Sequence, residues 1–593
     1  MDLISDLPDP IVHHIMSFLT TLDVTKLSIL SKRFFSLWGS FPVIDIDQSR
    51  FARGYRGNPA SMTAAFLQHV VNSVMHRTND TTLLSEFRVK ACLQGMLTDQ
   101  GFDMAILRVV AYGVKCMELN LGFDDHYLLP IDQFASGSCI NVLKLKGLQL
   151  DVNKLIQVCP CLTTLCLTSC LIVPPYIKFS SKTLTEFEVR FCDVRCVKIN
   201  APNLHSFVFD SSHEVTAVDN QHEHWPPALA KPCEIDALKC ENIVYLSLKN
   251  LVSGRDWIEE LVFRLKKLKT FILIGCHDIE HITVWNDELE RVKIGRCPRL
   301  SSIEVKATSL ESFAYKKSTW DRDCSFTFTT SKHIKDLSIK GATINDQWLE
   351  DQLANMTHLE RLRLEGCNVL RKIEVIHEKL QRLELYRCIG LVEADIDTPS
   401  LVCFVYHGKV IDFVKMVTQS SCIATLCMQP WDTSDNDSLF RWRNLLSFFG
   451  HCKALKLICN NKKEVMMPEM HREKLVSPLY DLQHFEIKIK SSAKIDRDLV
   501  DGLLWFAPLP KSLHISSNPQ KPLQMIIKFE YSDMIEGRED KNQFCCETKL
   551  IKCWKHHLET LEIESSGASL EESTELQKYF VTNAKIQIRF VSV

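Results

Sequence analysis

Segments of the form apolar-x-x-apolar-x-apolar recur along almost the whole of this 593-residue chain. They read LSEFRV from Leu84, LTEFEV from Leu184, LKTFIL from Leu268, LERVKI from Leu289, LERLRL from Leu359, LQRLEL from Leu380 and LETLEI from Leu558. Starts at Leu162, Leu184 and Leu204, and again at Leu359, Leu380, Leu401 and Ile423, lie 20 to 22 residues apart. A unit that short holds one strand and a return segment, which is too little to bury its own leucines. The units must therefore stack into a solenoid. Within each strand the first, fourth and sixth positions point inward, and the third, fifth and seventh face outward.

Cysteine placement fits the same period. Cys92, Cys170, Cys192, Cys276, Cys297, Cys367 and Cys388 each fall eight positions after the first leucine of their unit, where the chain turns off the strand and a small buried side chain is expected. One cysteine per unit would stack at about the 4.8 Å spacing of neighbouring strands, so these thiols form a column and do not converge on one ion. Neither a metal nor any other cofactor is expected. Return segments differ along the array. PRLSSIEVKATS after Cys297 and NVLRKIEVIHEK after Cys367 are too short and too alternating for a long helix, whereas DWIEELVFRLKKL from Asp256, NDQWLEDQLANM from Asn345 and SLFRWRNLLSFFGHC from Ser438 carry helical periodicity.

Composition narrows the partner classes. A formal net charge of -3 gives no reason to expect nucleic acid or an anionic membrane. Nowhere do eighteen apolar residues run together, and no basic stretch precedes an apolar run at the N-terminus. An intracellular protein, in cytoplasm or nucleus, is expected, with its 24 cysteines as reduced thiols. Phosphate-cradling Gly-Lys, Gly-x-Ser-x-Gly and paired-His zinc motifs are absent from the sequence, so no catalytic site is expected. The pairs His13-His14 and His556-His557 read as surface histidines. Residues 210–235 interrupt the period with an insertion bearing His213, His222 and His224, which reads as a solvated loop.

The first forty residues are of another kind. Leu7, Ile11, Ile15 and Leu19 recur every four residues on one helical face, with Pro8 and Pro10 in the first turn, where the backbone donors are unpaired anyway. Asp23 is a plausible N-cap for a second helix carrying Val24, Leu27, Leu30, Phe34, Leu37 and Trp38. So small a piece cannot bury that much apolar surface internally, and such a patch marks a partner site.

Leu7-Pro8-Asp9, Ile15-x-Ser17-x-Leu19 and Ser31-Lys32-Arg33-Phe34 with Leu37-Trp38 resemble the F-box, the helical module that docks a Skp-type adaptor of a cullin-RING ubiquitin ligase. Pro10, Thr20 and Phe34 depart from the usual pattern, where an acidic residue, Pro and Trp respectively are common. The module and repeats together, with Pro two residues before the strand leucine at Pro160, Pro202 and Pro399, look like plant F-box and leucine-rich-repeat proteins. The C-terminal Cys553, Leu558, Leu561, Ile563, Tyr579, Phe580, Asn583 and Ala584 resemble the FBD region that closes many of them.

The resemblance implies an α/β fold: a three-helix-type F-box at 1–46, a linker loop at 47–80, a curved solenoid at 81–545 with its parallel sheet on the concave face, and a cap at 546–593. It also implies an adaptor-binding face of Leu7, Pro8, Ile11, Ile15, Leu19, Val24, Leu27, Leu30, Ser31, Phe34, Leu37 and Trp38, and a non-catalytic receptor that holds a target protein for ubiquitination. The alternatives are a repeat scaffold that degrades nothing and a receptor gated by a small molecule. For the target, the outward positions Arg291, Lys293, Lys316, Lys340, Arg361, Arg363 and Arg382, with Asp336, Glu365 and Glu384 interspersed, form a stripe of basic balance beside Ile272 and Ile274, suited to an acidic or phosphorylated segment.

Overall fold

The computed structural model describes residues 7–19, 21–52, 59–75, 84–92, 100–122, 126–134, 139–212, 233–252, 255–319, 321–330, 332–429, 436–472, 475–517, 523–531, 554–556, 558–566, 570–584 and 587–592. His213, His222, His224, Cys553 and His557 lie outside this set.

Three helices open the chain: α1 (Asp9–Ser17), α2 (Thr21–Ser28) and α3 (Lys32–Ser40). Pro8 and Pro10 do start the first of them. The expected single helix from Asp23 to Trp38 is instead two. Ser31 is extended, and its hydroxyl accepts the Phe34 N–H at 3.1 Å, which caps α3 and ends any continuation of α2. Asp23 sits in the first turn of α2 and not before it. Val12, Met16, Val24, Phe34, Leu37 and Phe41 form one buried cluster, with Leu7, Leu27, Trp38 and Val43 packed against it. Two polar ties fasten α1 to α3. Arg33 donates to the Leu7 carbonyl and to Asp9 Oδ1, the latter at 2.8 Å, and His13 Nε2 lies 3.1 Å from the Leu37 carbonyl. His13 is therefore a packing residue, against the surface reading, while His14 is exposed.

The expected linker loop contains helices α4 (Gln48–Ala52) and α5 (Pro59–Met75). The Gly-rich stretch between them masks the periodicity of α5 in the sequence: Phe66, Leu67, Val70 and Val74 recur at helical spacing and are buried. Just before α4, the strand β1 (Val43–Asp47) pairs in parallel with Glu86–Cys92.

Residues divide into two compact units, each with its own run of parallel strands. The first comprises Met1–Ser309, Ser318–Arg322 and Phe326–Thr330, the second Leu310–Lys317, Asp323–Ser325 and Ser331–Val593. In the first, β1 is followed by strands from Glu86–Cys92 through Cys116–Gly122 to Arg291–Gly295. In the second they run from Ser312–Lys316 to Ser512–Ser517. Each strand pairs in register with the next, so leucines one repeat apart stack, as Leu362 on Leu383 and Leu364 on Leu385. All four are buried.

Strands end by a shared device. The residue after the strand adopts positive φ at Gly147, Ser169, Phe191, Asn250, Gly275, Arg296, Gly341, Gly366 and Arg387. At most of these positions its N–H then reaches a carbonyl at or next to the end of the following strand, as from Ser169 to Arg190 or Arg387 to His407. At Gly275, φ is +73° and a Cβ would stand 2.2 Å from Asn250 Oδ1, so any other residue there would be strained and would displace that side chain.

The short return segments are strands. His281–Trp285 pairs with Ser302–Lys306 in the first unit, and Lys372–Ile376, Glu393–Asp397 and Asp412–Val417 form a second parallel sheet in the other. The longer ones are the expected helices Arg255–Arg264, Asp346–Asn355 and Asn436–Ser447. After Ser517 the direction reverses. Leu523–Tyr531 and Leu558–Ser566 run antiparallel, and helix Leu570–Ala584 buries Leu576, Tyr579 and Phe580. The Tyr579 hydroxyl donates to Asp501 Oδ1 at 2.5 Å, tying this helix to Arg497–Phe506.

Six of the seven phased cysteines are buried as expected. Cys92 is the exception: its strand runs on through residue 92, and the alternation there turns the thiol outward. Burial pushes the Cys240 thiol up to about 11 and Cys459 up to about 12, and in the second unit a hydrogen bond with Cys388, together with burial, raises Cys367 far beyond the ordinary range. Thiols so held are protonated at neutral pH and unreactive. Brief iodoacetamide treatment of the native protein should therefore alkylate Cys92, Cys139 and Cys161 first, and leave Cys276, Cys367 and Cys388 unlabelled in peptide mass spectra. Early labelling of that column would contradict its burial.

Candidate functional site

Because α1 turns Val12 and Met16 inward, it turns Ile11 and Ile15 out. Ile11 is 48% exposed, Leu30 69%, Phe18 77% and Ile29 82%, with Ile15, Leu19 and Phe35 also exposed. Seven of the 24 exposed large apolar side chains among the described residues thus lie between positions 11 and 35. No other described segment of that length concentrates them so, and exposed apolar surface of this kind is what partner sites present.

The expected adaptor-binding set divides. Pro8, Ile11, Ile15, Leu19, Leu30 and Ser31 are on the surface; Leu7, Leu27 and Trp38 are half-buried against the module core. Val24, Phe34 and Leu37 are buried within the core and present no surface. Their apolar character serves the module's own packing, which a two-helix reading of the sequence conceals. Phe18, Ile29 and Phe35 belong to the exposed set but escape that reading. Phe18 is legible in the sequence, seven residues after Ile11 on the same helical face; Ile29 and Phe35 flank the break between α2 and α3.

On the repeat strands the outward phase is as expected. In the first unit Arg291 and Lys293 are exposed, and Ile272 and Ile274 are half-buried beside them, with Lys293 opposite Ile272. In the second unit the basic residues are already engaged. Arg361 pairs with Asp336 at 3.1 Å, Lys340 with Glu365 at 2.7 Å, and Arg363 with Glu365 at 3.1 Å and Glu384 at 3.3 Å. Arg382 also donates to Glu384, and Arg363 stacks 4.6 Å over the Tyr386 ring. Glu384 is only 6% exposed. In the second unit the stripe is therefore a cross-strand lattice in which the interspersed Asp336, Glu365 and Glu384 engage all four of these cations. Among the described residues no three His, Cys, Asp or Glu side chains converge as metal ligands. No helix among them is long and apolar enough to cross a membrane.

Residues 4–45 match the F-box domain model, and residues 322–501 match the model of the At1g61320/AtMIF1 LRR domain. The chain thus carries an F-box followed by leucine-rich repeats. Among curated proteins it is 33% identical over 175 residues to the F-box/LRR-repeat protein At3g58900 of Arabidopsis thaliana, which covers 29% of this chain and 51% of that protein. It is 29% identical over 150 residues to the Arabidopsis F-box/LRR-repeat protein At3g58930, covering 24% of this chain and 30% of the other. With the F-box protein At3g59000 of the same plant, 24% identity extends over 389 residues, 62% of this chain and 74% of that one. The chain spans about half or less of the length of the first two relatives.

The lattice has a pH signature. Burial alone would raise the Glu365 carboxyl, but hydrogen bonds and charge from Lys340 and Arg363 outweigh it and hold the group below its ordinary value of 4.5. A depressed folded value means stability that is fully present above about pH 4.5 and lost as pH falls through the folded value. Urea midpoints should accordingly fall on acidification below about pH 4.5, and Glu365→Gln should flatten that limb. An unchanged acid limb in the variant would place the dependence elsewhere.

Proposed function

We propose that this chain is the substrate-recognition subunit of a Skp-cullin-F-box ubiquitin ligase. The F-box docks the Skp-type adaptor through Ile11, Ile15, Phe18, Leu19, Ile29 and Leu30, and the repeat surface holds a target protein near the ubiquitin-loaded partner. The supporting observation is the concentration of exposed apolar side chains within the segment that matches the F-box model. F-box modules in general bind such adaptors, and burying these side chains against a partner removes the largest apolar exposure among the described residues. Chemistry in this reading belongs to the ligase partners; the receptor raises the local concentration of target.

Leu7 is unsuited to testing this, because it packs on the module core. Ile11 and Leu30 are exposed, so charges there leave the core intact. Two carboxylates forced into an apolar interface cost several kcal/mol, so Ile11→Asp with Leu30→Asp should weaken adaptor binding by about a hundredfold or more. Co-purification with the Skp-type adaptor, with circular dichroism as the folding control, reads this. An intact chain that captures no adaptor would end the ligase reading.

A further inference from the structure

In the second unit, one outward row of the sheet runs in register through Tyr386, His407, Cys427, Ile458 and Lys488. The first four are half-buried and form an aromatic and apolar floor, with Tyr386 edge-on to His407 at 6.5 Å. On one side of this floor the cations are neutralised by Asp336, Glu365 and Glu384. On the other, Lys456 pairs with Glu486 at 2.5 Å. Arg387, Lys488 and Lys490 differ: all are exposed, and none pairs with a carboxylate among the described residues.

These cations converge on the floor. Lys490 Nζ stands 3.7 Å from Cys427 Sγ and 3.5 Å from Asn460 Oδ1, so the ammonium overhangs the row. Arg387 leaves its strand in the left-handed conformation, with its N–H on the His407 carbonyl. The His407 ring is held below its ordinary value first by burial and then by Arg387 and Lys490, against the opposing charge of Glu365.

We propose that this floor and its three cations bind an extended acidic segment of a target protein, with aspartate or glutamate side chains alternating with apolar ones. This deepens the receptor reading and rests on it. Lys488 and Lys490 lie two residues apart, about 7 Å, the spacing at which alternate side chains of an extended chain project. Carboxylate is the anion the face already accepts on single ammonium groups, as Lys340 with Glu365 and Lys456 with Glu486 show. The half-buried floor takes the intervening apolar side chains, and the unsatisfied charge selects acidic over basic sequence.

The test uses the full chain with its adaptor and fluorescein-labelled Glu-Leu-Glu-Leu-Glu, read by anisotropy against Lys-Leu-Lys-Leu-Lys and a phosphoserine-Leu analogue. The glutamate peptide should bind at least about tenfold tighter than the lysine peptide, and Arg387→Glu with Lys490→Glu should cost about tenfold or more. Arg361→Gln should leave binding unchanged. Equal binding by the double variant, equal loss in Arg361→Gln, or binding of the phosphoserine peptide alone would overturn the proposal. Adaptor co-purification is scored on the same samples. Adaptor retained without peptide binding sinks this inference alone, and peptide binding without adaptor sinks the ligase reading while leaving the surface standing.

Discussion

Everything in each unit depends on backbone hydrogen bonding between parallel strands held in register. Side chains alternate with a period of two, so a slip of one residue would carry every stacked leucine to the solvent face. Left-handed residues after nine of the described strands guard against this slip. Where these bonds form, the N–H is committed to a carbonyl at or beside the end of the next strand, so the phase of one repeat is passed to its neighbour. Non-glycine residues at Ser169, Phe191, Asn250, Arg296 and Arg387 accept the cost of that conformation, about 1 kcal/mol each, because the ladder over-determines it. Stacked thiols fill the space immediately behind several of these turns, whereas Leu148 and Leu251 are buried there in other repeats.

The outward face follows from the same register. Once Arg361, Arg363, Glu365, Arg382 and Glu384 are fixed on adjoining strands, their charges meet whether or not a partner is present. Cross-strand pairs of this kind contribute modestly to stability where they are exposed. Their larger effect is on recognition, because a guanidinium already shared between two carboxylates has little charge to offer an incoming ligand. Counting arginines along a strand therefore overstates its cationic character wherever carboxylates stand on the adjoining strands.

Sequence patterning reveals the repeat architecture well for a physical reason: period-two burial and a fixed unit length are imprinted on every strand, from LTEFEV to LQRLEL. The cysteine phase is equally legible in six positions and fails at Cys92, where a longer strand, invisible to a leucine count, delays the turn. Helix α5 is hidden by the glycine-rich stretch before it. In the F-box segment the apolar positions are readable but their sides are not. Periodicity shows that Val24, Phe34 and Leu37 are apolar; only the break at Ser31, which folds α3 back onto α1, decides that they face the core while Ile11 and Leu30 face out. The ion-pair lattice is only partly readable: Arg363–Glu365 and Arg382–Glu384 lie within single strands, whereas Arg361–Asp336, Lys340–Glu365 and Arg363–Glu384 join residues about one repeat apart.

The strand reversal after Ser517 has a consequence for how such a chain can lengthen. A duplicated unit inserted between two existing repeats meets parallel neighbours on both sides and can adopt their phase at once. The same unit placed beyond Ser517 would meet an antiparallel edge, with mismatched donors and acceptors and no leucine column to join. Growth by tandem copying is therefore confined to the interior of the array, and related chains of different length should differ in their middle and share their closing hairpin.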